Sequence, residues 1–163
     1  MTEREYNDCV TNYADNVYRF VLKNLKNVAD AEDVVQSAFE ALWQMRSGVT
    51  GDNPKSLLFT IAYRKMIDLL RKNKKMSYHD EMSGFDKGSD DKNTSHLKNI
   101  LNKALDTLDE TKRALVLLKD YEGYSYEEIG RITALTESQV KVYLHRARLQ
   151  LRAYLVKIEN VIE

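Results

Sequence analysis

Cysteine, proline and glycine are all scarce in this chain of 163 residues, and each scarcity removes a class of protein. Cys9 is the only cysteine, so no intramolecular disulfide and no cysteine-based zinc site can form. One proline and six glycines are too few for an all-β protein built on many tight turns. The first residues lack the basic, apolar and small-residue succession of a signal peptide, and no apolar run approaches the length of a membrane span. A cytoplasmic protein without membrane insertion is the expectation. Net charge is missing too, because 25 Lys and Arg balance 25 Asp and Glu. Whole-chain charge therefore points to no partner, and only its local distribution can.

Catalytic signatures are equally thin. His79, His96 and His145 are scattered and show no metal-ligand spacing. There is no Gly-rich phosphate loop. Carboxylates are plentiful, but none pair convincingly for acid–base work. The expectation is a protein that is not an enzyme and carries no cofactor and no metal.

What is present is helical periodicity in two blocks. In the first, Val10, Tyr13, Val17, Phe20 and Val21 recur at helical spacing within Tyr6–Leu25. Asp30 is positioned to cap a second helix, whose apolar residues Ala31, Val34, Val35, Ala38, Phe39, Leu42 and Trp43 follow the i, i+3, i+4, i+7 rule. A loop from Gly48 leads to Asn53-Pro54, an N-cap followed by proline at the first helical position. The third helix reaches about Lys72, with Leu57, Leu58, Ile61, Ala62, Ile67 and Leu70 as its candidate core.

Between the blocks, Met76–Ser95 has the Gly, Ser, Asn and Asp content of a linker. The second block opens on the stripe Leu97, Ile100, Leu101, Ala104, Leu105 and Leu108. Three capping boxes follow, at Thr107–Glu110, Ser125–Glu128 and Thr136–Gln139. Gly123 between the first two suits a left-handed cap. Starts this close together demand short helices with sharp turns. Ser125–Thr133 would be one, with Ile129 and Ile132 inward. The next would run from Thr136 at least to Leu155, burying Val140, Leu144, Ala147, Leu151 and Tyr154 and exposing Lys141, His145, Arg146, Arg148 and Arg152. This is a helix-turn-helix pattern, in which the second helix enters the major groove and basic side chains neutralise phosphates. The Thr136 hydroxyl and the free N–H groups beside it are candidates to hold a phosphate.

Two other faces carry concentrated charge. Arg64, Lys65, Arg71, Lys72, Lys74 and Lys75 end the first block, interleaved with Phe59 and Tyr63, a combination suited to opened strands because aromatic faces stack on bases. The Asp30–Gln44 helix exposes Glu32, Asp33, Gln36, Ser37 and Glu40. The residues alone leave open a transcriptional regulator that binds duplex DNA through the same helix-turn-helix, with the first block as sensor or dimerisation domain.

Taken in order, three segments resemble the extracytoplasmic-function sigma factors of bacterial RNA polymerase. Asp30–Trp43, reading DAEDVVQSAFEALW, is similar to their region 2.2. Leu57–Lys75 resembles regions 2.3 and 2.4, and Ala104–Leu155 resembles region 4. The resemblance implies an all-α fold of two small helical domains, a region 2 bundle over residues 1–75 and a region 4 helix-turn-helix over residues 97–163, joined by a flexible acidic linker over 76–96. It implies that Asp30, Asp33, Gln36, Phe39 and Glu40 dock on core RNA polymerase, although the spacing of Phe39 suits a core residue equally. It implies that Asn53, Lys55, Ser56, Tyr63, Arg64, Lys65 and Arg71 contact the melted minus-ten element, one base flipped out against the loop before the third helix. Thr136, Ser138, Gln139, Lys141, Val142, His145, Arg146 and Arg148 would meet the minus-thirty-five duplex. Core polymerase and promoter DNA are thus the implied partners, together with an anti-sigma protein, and the implied place of work is the cytoplasmic nucleoid. Leu57 stands where the family usually has Trp, Asp109 where Pro is common, Gly130 where Ala is common, and Val142-Tyr143 where a small polar residue and Arg are usual.

Overall fold

The computed structural model describes residues 1–49, 54–76 and 92–162, with the side chains of 75, 76, 92–94 and 160–162 left aside. Among the described residues there are seven α-helices and no strand: α1 (Glu3–Leu25), α2 (Val28–Gln44), α3 (Pro54–Met76), α4 (Lys92–Asp106), α5 (Glu110–Val116), α6 (Tyr126–Thr133) and α7 (Glu137–Ile162). A 3₁₀ turn, Arg46–Gly48, follows α2, and a π-helical turn, Leu117–Tyr121, continues α5. One compact unit is built around α1–α3 and another around α4, α5 and α7.

In the first unit, Thr2 and Glu5 form a capping box that opens α1. Lys26 then closes it in the left-handed region at φ 57°, its N–H donating to the Leu22 carbonyl at 2.8 Å. Asn27 caps α2 at once, its Oδ1 accepting from the Asp30 N–H at 3.0 Å. The cap is therefore Asn27 and not Asp30, which lies in the first turn. Asn and Asp cap equally well, and Asn27 comes first after the α1 turn. The three helices bury Val17, Phe20 and Val21 of α1, Ala31, Val34, Ala38, Phe39 and Leu42 of α2, and Leu58, Phe59, Ala62, Tyr63, Met66 and Ile67 of α3. Phe20 and Phe59 meet edge to face at 5.6 Å between centroids. The buried stripe of α3 is thus turned from the expected one. Leu57, Ile61 and Leu70 are only half-buried, while both aromatics and Met66 face inward.

The second unit starts earlier than expected, because α4 is already helical at Lys92. Asp109, not Thr107, caps α5, with Oδ1 accepting from the Lys112 N–H at 2.8 Å. The Thr107 hydroxyl instead donates back to the Ala104 carbonyl at 2.6 Å, closing α4. The residue that replaces the family's proline thus supplies the cap. Ala114, Leu115, Leu117, Leu118, Ile129, Val140, Leu144 and Ala147 are fully buried. Arg113 is also buried, and desolvation pulls its guanidinium below the ordinary value against the raising influence of Asp106, Glu110 and Asp109. The π-helical turn ends through Glu122 N–H to Leu117 carbonyl, 3.0 Å, and Gly123 follows at φ 76°, the left-handed conformation expected of it.

Candidate nucleic-acid interface

The two remaining capping boxes of the second block are reciprocal in the structure. The Glu128 N–H donates to Ser125 Oγ at 3.1 Å, and Glu128 Oε2 accepts from the Ser125 N–H at 2.9 Å. The Gln139 N–H donates to Thr136 Oγ1 at 3.1 Å, and Gln139 Oε1 accepts from the Thr136 N–H at 2.9 Å. Between them Ala134 takes φ 60°, and the Leu135 N–H donates to the Gly130 carbonyl at 3.1 Å. A left-handed residue between two capped helices gives the sharp turn of a helix-turn-helix. The Thr136 hydroxyl and its own N–H are both engaged in the cap. The hydroxyl acts as an acceptor in the cap and keeps its own O–H to donate, so the cap and a phosphate contact are compatible.

Val140, Leu144 and Ala147 anchor α7 with exposures of 1% or less, while Leu151 and Tyr154 are half-buried. The opposite face presents Ser138, Lys141, Val142, His145, Arg146 and Leu149, spaced so that all lie on one outward stripe. Val142 is 45% and Leu149 54% exposed, high for apolar residues with no helix over them in the sequence pattern. Leu149 had no signal in the sequence beyond being an apolar residue off the buried register. Lys141 pairs with Glu137 at 3.4 Å, a fully surface pair.

The α3 surface is more restrained than its composition suggested. Arg64 and Arg71 are exposed, Lys65 half-exposed. Lys55 is half-buried with Nζ 5.6 Å from the Tyr13 ring centroid, and the Ser56 carbonyl accepts from Thr60 Oγ1 at 2.9 Å. Phe59 is 1% and Tyr63 9% exposed. Neither ring offers a face to a base, so the stacking role expected of Tyr63 is corrected. Both rings lie on the stripe that seals the α1–α3 core. Asn53 lies outside the described residues.

On α2 the outward face holds Asp33, Gln36 and Glu40, all exposed, with Gln36 Nε2 donating to Glu40 Oε1 at 3.3 Å. Asp30 is half-buried at the first turn. Phe39 is 8% exposed and packs edge to face with Tyr6, whose hydroxyl donates to the Phe39 carbonyl at 3.1 Å. Of the two readings left open for Phe39, the core one holds, and its ring is withdrawn from the acidic face.

Residues 9–76 match the model of Sigma-70 region 2, and residues 98–151 that of Sigma-70, region 4. The chain is 33% identical over 153 residues to the RNA polymerase sigma factor SigV of Bacillus subtilis, spanning 91% of this chain and 90% of that one. It is 31% identical over 159 residues to the ECF RNA polymerase sigma factor SigE of Mycolicibacterium smegmatis, spanning 93% of this chain and 62% of that one. The chain belongs to the extracytoplasmic-function sigma factors.

As a sigma factor it is a transcription initiation factor, and its front unit is region 2 rather than a sensor domain. Its fold resembles that of the sigma factor RpoE of Bartonella quintana, solved with the anti-sigma factor NepR, with a TM-score of 0.81 at 22% identity over 93% of this chain and 97% of that one. No helix among the described residues of the sigma factor is long and apolar enough to cross a membrane. Sequence reasoning missed the surroundings of Arg148 in this sigma factor. Its Nη2 lies 3.1 Å from Asp120 Oδ1, a residue 28 positions earlier, and no local pattern announces such a pair.

Proposed function

We propose that this sigma factor docks on core RNA polymerase through the acidic face of α2, follows the melted minus-ten strand with α3, and reads the intact minus-thirty-five duplex with α7. Residues 1–75 and 97–163 would act as the two working modules, with 76–96 as the tether between them. The observation that carries this reading is the outward stripe of α7, where Ser138, Lys141, Val142, His145 and Arg146 are all exposed behind a capped, buried anchor. A rigid helix that presents polar and basic side chains along one face is the geometry a major groove admits. Val142 adds an apolar contact of the kind a thymine methyl takes, and Arg146 suits a guanine edge or a phosphate. On α3 the role falls to Arg64, Lys65 and Arg71, as backbone contacts, with Asn53, Lys55 and Ser56 near the flipped base. On α2 it falls to Asp33, Gln36 and Glu40, with Asp30 beside them.

The sigma factor RpoE was solved with the anti-sigma factor NepR, and CnrH, whose fold is also similar, with the cytosolic domain of CnrY. An anti-sigma protein is accordingly the second class of partner, and the cytoplasmic nucleoid the place of work. The deciding experiment adds the purified chain to core polymerase and maps the starts of the RNA made on genomic DNA. Defined starts that share two upstream elements are expected. Unchanged, scattered initiation would end the reading.

Arg146→Ala is expected to weaken binding of the mapped promoter duplex about 5- to 100-fold, and to flatten the salt dependence by about one unit of slope if the lost contact is a phosphate. Fluorescence anisotropy across a salt series measures both. Equal affinity and slope would take Arg146 out of the interface.

A further inference from the structure

Arg148 is not presented to solvent alone. Its Nη2 sits 3.1 Å from Asp120 Oδ1, and Tyr126 is close enough to raise the guanidinium's pKa. Tyr126 is the first residue of α6, and two further cations stand over its ring, Lys119 Nζ at 4.4 Å and Lys141 Nζ at 5.5 Å from the centroid. Lys119 and Asp120 are neighbours on the π-helical turn Leu117–Tyr121. Three cations from two elements thus converge on the start of α6 around one aromatic ring, with Asp120 paired to Arg148 and Glu137 paired to Lys141. In a helix-turn-helix the first helix crosses the nucleic-acid backbone, so the start of α6 is where a phosphate would run.

We propose that Asp120 is a built-in stand-in for a backbone phosphate: it holds Arg148 in the free protein, and a phosphate of the duplex takes its place on binding. Lys119, Lys141 and Tyr126 complete the phosphate seat. The proposal rests on α7 being the duplex-reading helix, and it adds a residue that sets affinity without touching a base. The pair is weak enough to exchange. Both partners are nearly half exposed, at 45% and 46%, and ion pairs so open to solvent contribute little to stability. A backbone phosphate offers the guanidinium the same charge over two oxygens in the same fork geometry, so the exchange loses no hydrogen bond. Desolvation lowers the Arg148 pKa, but Asp120 and Tyr126 outweigh it and raise the guanidinium above its ordinary value, so it is charged in either pairing.

The test uses the full chain, a short fluorescent mixed-sequence duplex and salt from ~50 to ~200 mM. Asp120→Asn keeps the shape of the side chain and removes its charge. It is expected to tighten duplex binding about three- to tenfold at the low end and to steepen the salt slope by about one. Arg148→Ala should then weaken Asp120→Asn by a larger factor than it weakens the unmodified chain. Helical circular dichroism and melting of each variant identify any loss of fold, and Asp120→Ser serves as the second charge-free variant. Affinity unchanged or lowered by both Asp120 variants, with Arg148→Ala equally harmful in either background, would overturn the stand-in role and leave Asp120 a staple of α7. No duplex binding by any of these proteins, at any salt, would overturn the duplex reading as well, since no phosphate would then compete for Arg148.

Discussion

The double variant Asp33→Lys/Gln36→Ala is expected to lose at least about a hundredfold in affinity for core RNA polymerase, because a like charge placed against a partner's basic surface costs several kcal/mol. Both residues are exposed on the outward face of α2, where Gln36 Nε2 donates to Glu40 Oε1 at 3.3 Å. The buried face of the same helix, Ala31, Val34, Ala38 and Leu42, is left untouched. Circular dichroism and melting should therefore match the unmodified protein while co-purification with polymerase fails. A variant that still co-purifies normally removes the acidic face of α2 from the docking surface. Phe39→Ala would be a poor test of the same idea, since the ring is core and its loss acts through stability.

Phe59→Ala is expected to destabilise the α1–α3 unit by about 3–5 kcal/mol, the usual cost of emptying a buried aromatic site. Against a typical domain stability of about 5–15 kcal/mol, that is a large part of the whole. Phe59 is 1% exposed and meets Phe20 edge to face at 5.6 Å, so its removal empties a site between α1 and α3. Urea unfolding without DNA reads the effect directly. Were Phe59 instead a platform for melted bases, the unfolding midpoint would hold and only binding to single strands would fall. The two outcomes separate a core residue from a contact residue at the position where composition alone invited the second view.

The contrast along α3 explains what could be read in advance. Leu57, Leu58, Phe59, Ile61, Ala62, Tyr63, Met66, Ile67 and Leu70 are all apolar or aromatic, a stripe wider than two neighbouring helices can cover. Periodicity announces such a helix but does not say which edge of the stripe is sealed. Contacts with α1 and α2 chose the edge holding Phe59, Tyr63 and Met66, and left Leu57 and Ile61 half open. On α7 the stripe is narrower, Val140, Leu144 and Ala147 at intervals of four and three, and there the buried and outward sides followed from spacing. The exposed binding candidates of α7 were legible for that reason, and Tyr63 was misassigned for the opposite one.

The helices themselves, their order and the starts of α3, α6 and α7 were determined by the sequence alone, because helix periodicity and capping act over three or four residues. Ser125 with Glu128 and Thr136 with Gln139 close on each other without help from any other part of the chain. The choices of Asn27 over Asp30 and of Asp109 over Thr107, three and two positions apart, were settled locally by the end of the preceding helix. Tertiary structure decided what depends on distant partners. It brought Asp120 to Arg148, across 28 positions, an encounter that goes with the packing of α5 against α7. Short-range hydrogen bonds are encoded where they form, whereas the burial of one face and the pairing of remote charges arise only when helices meet.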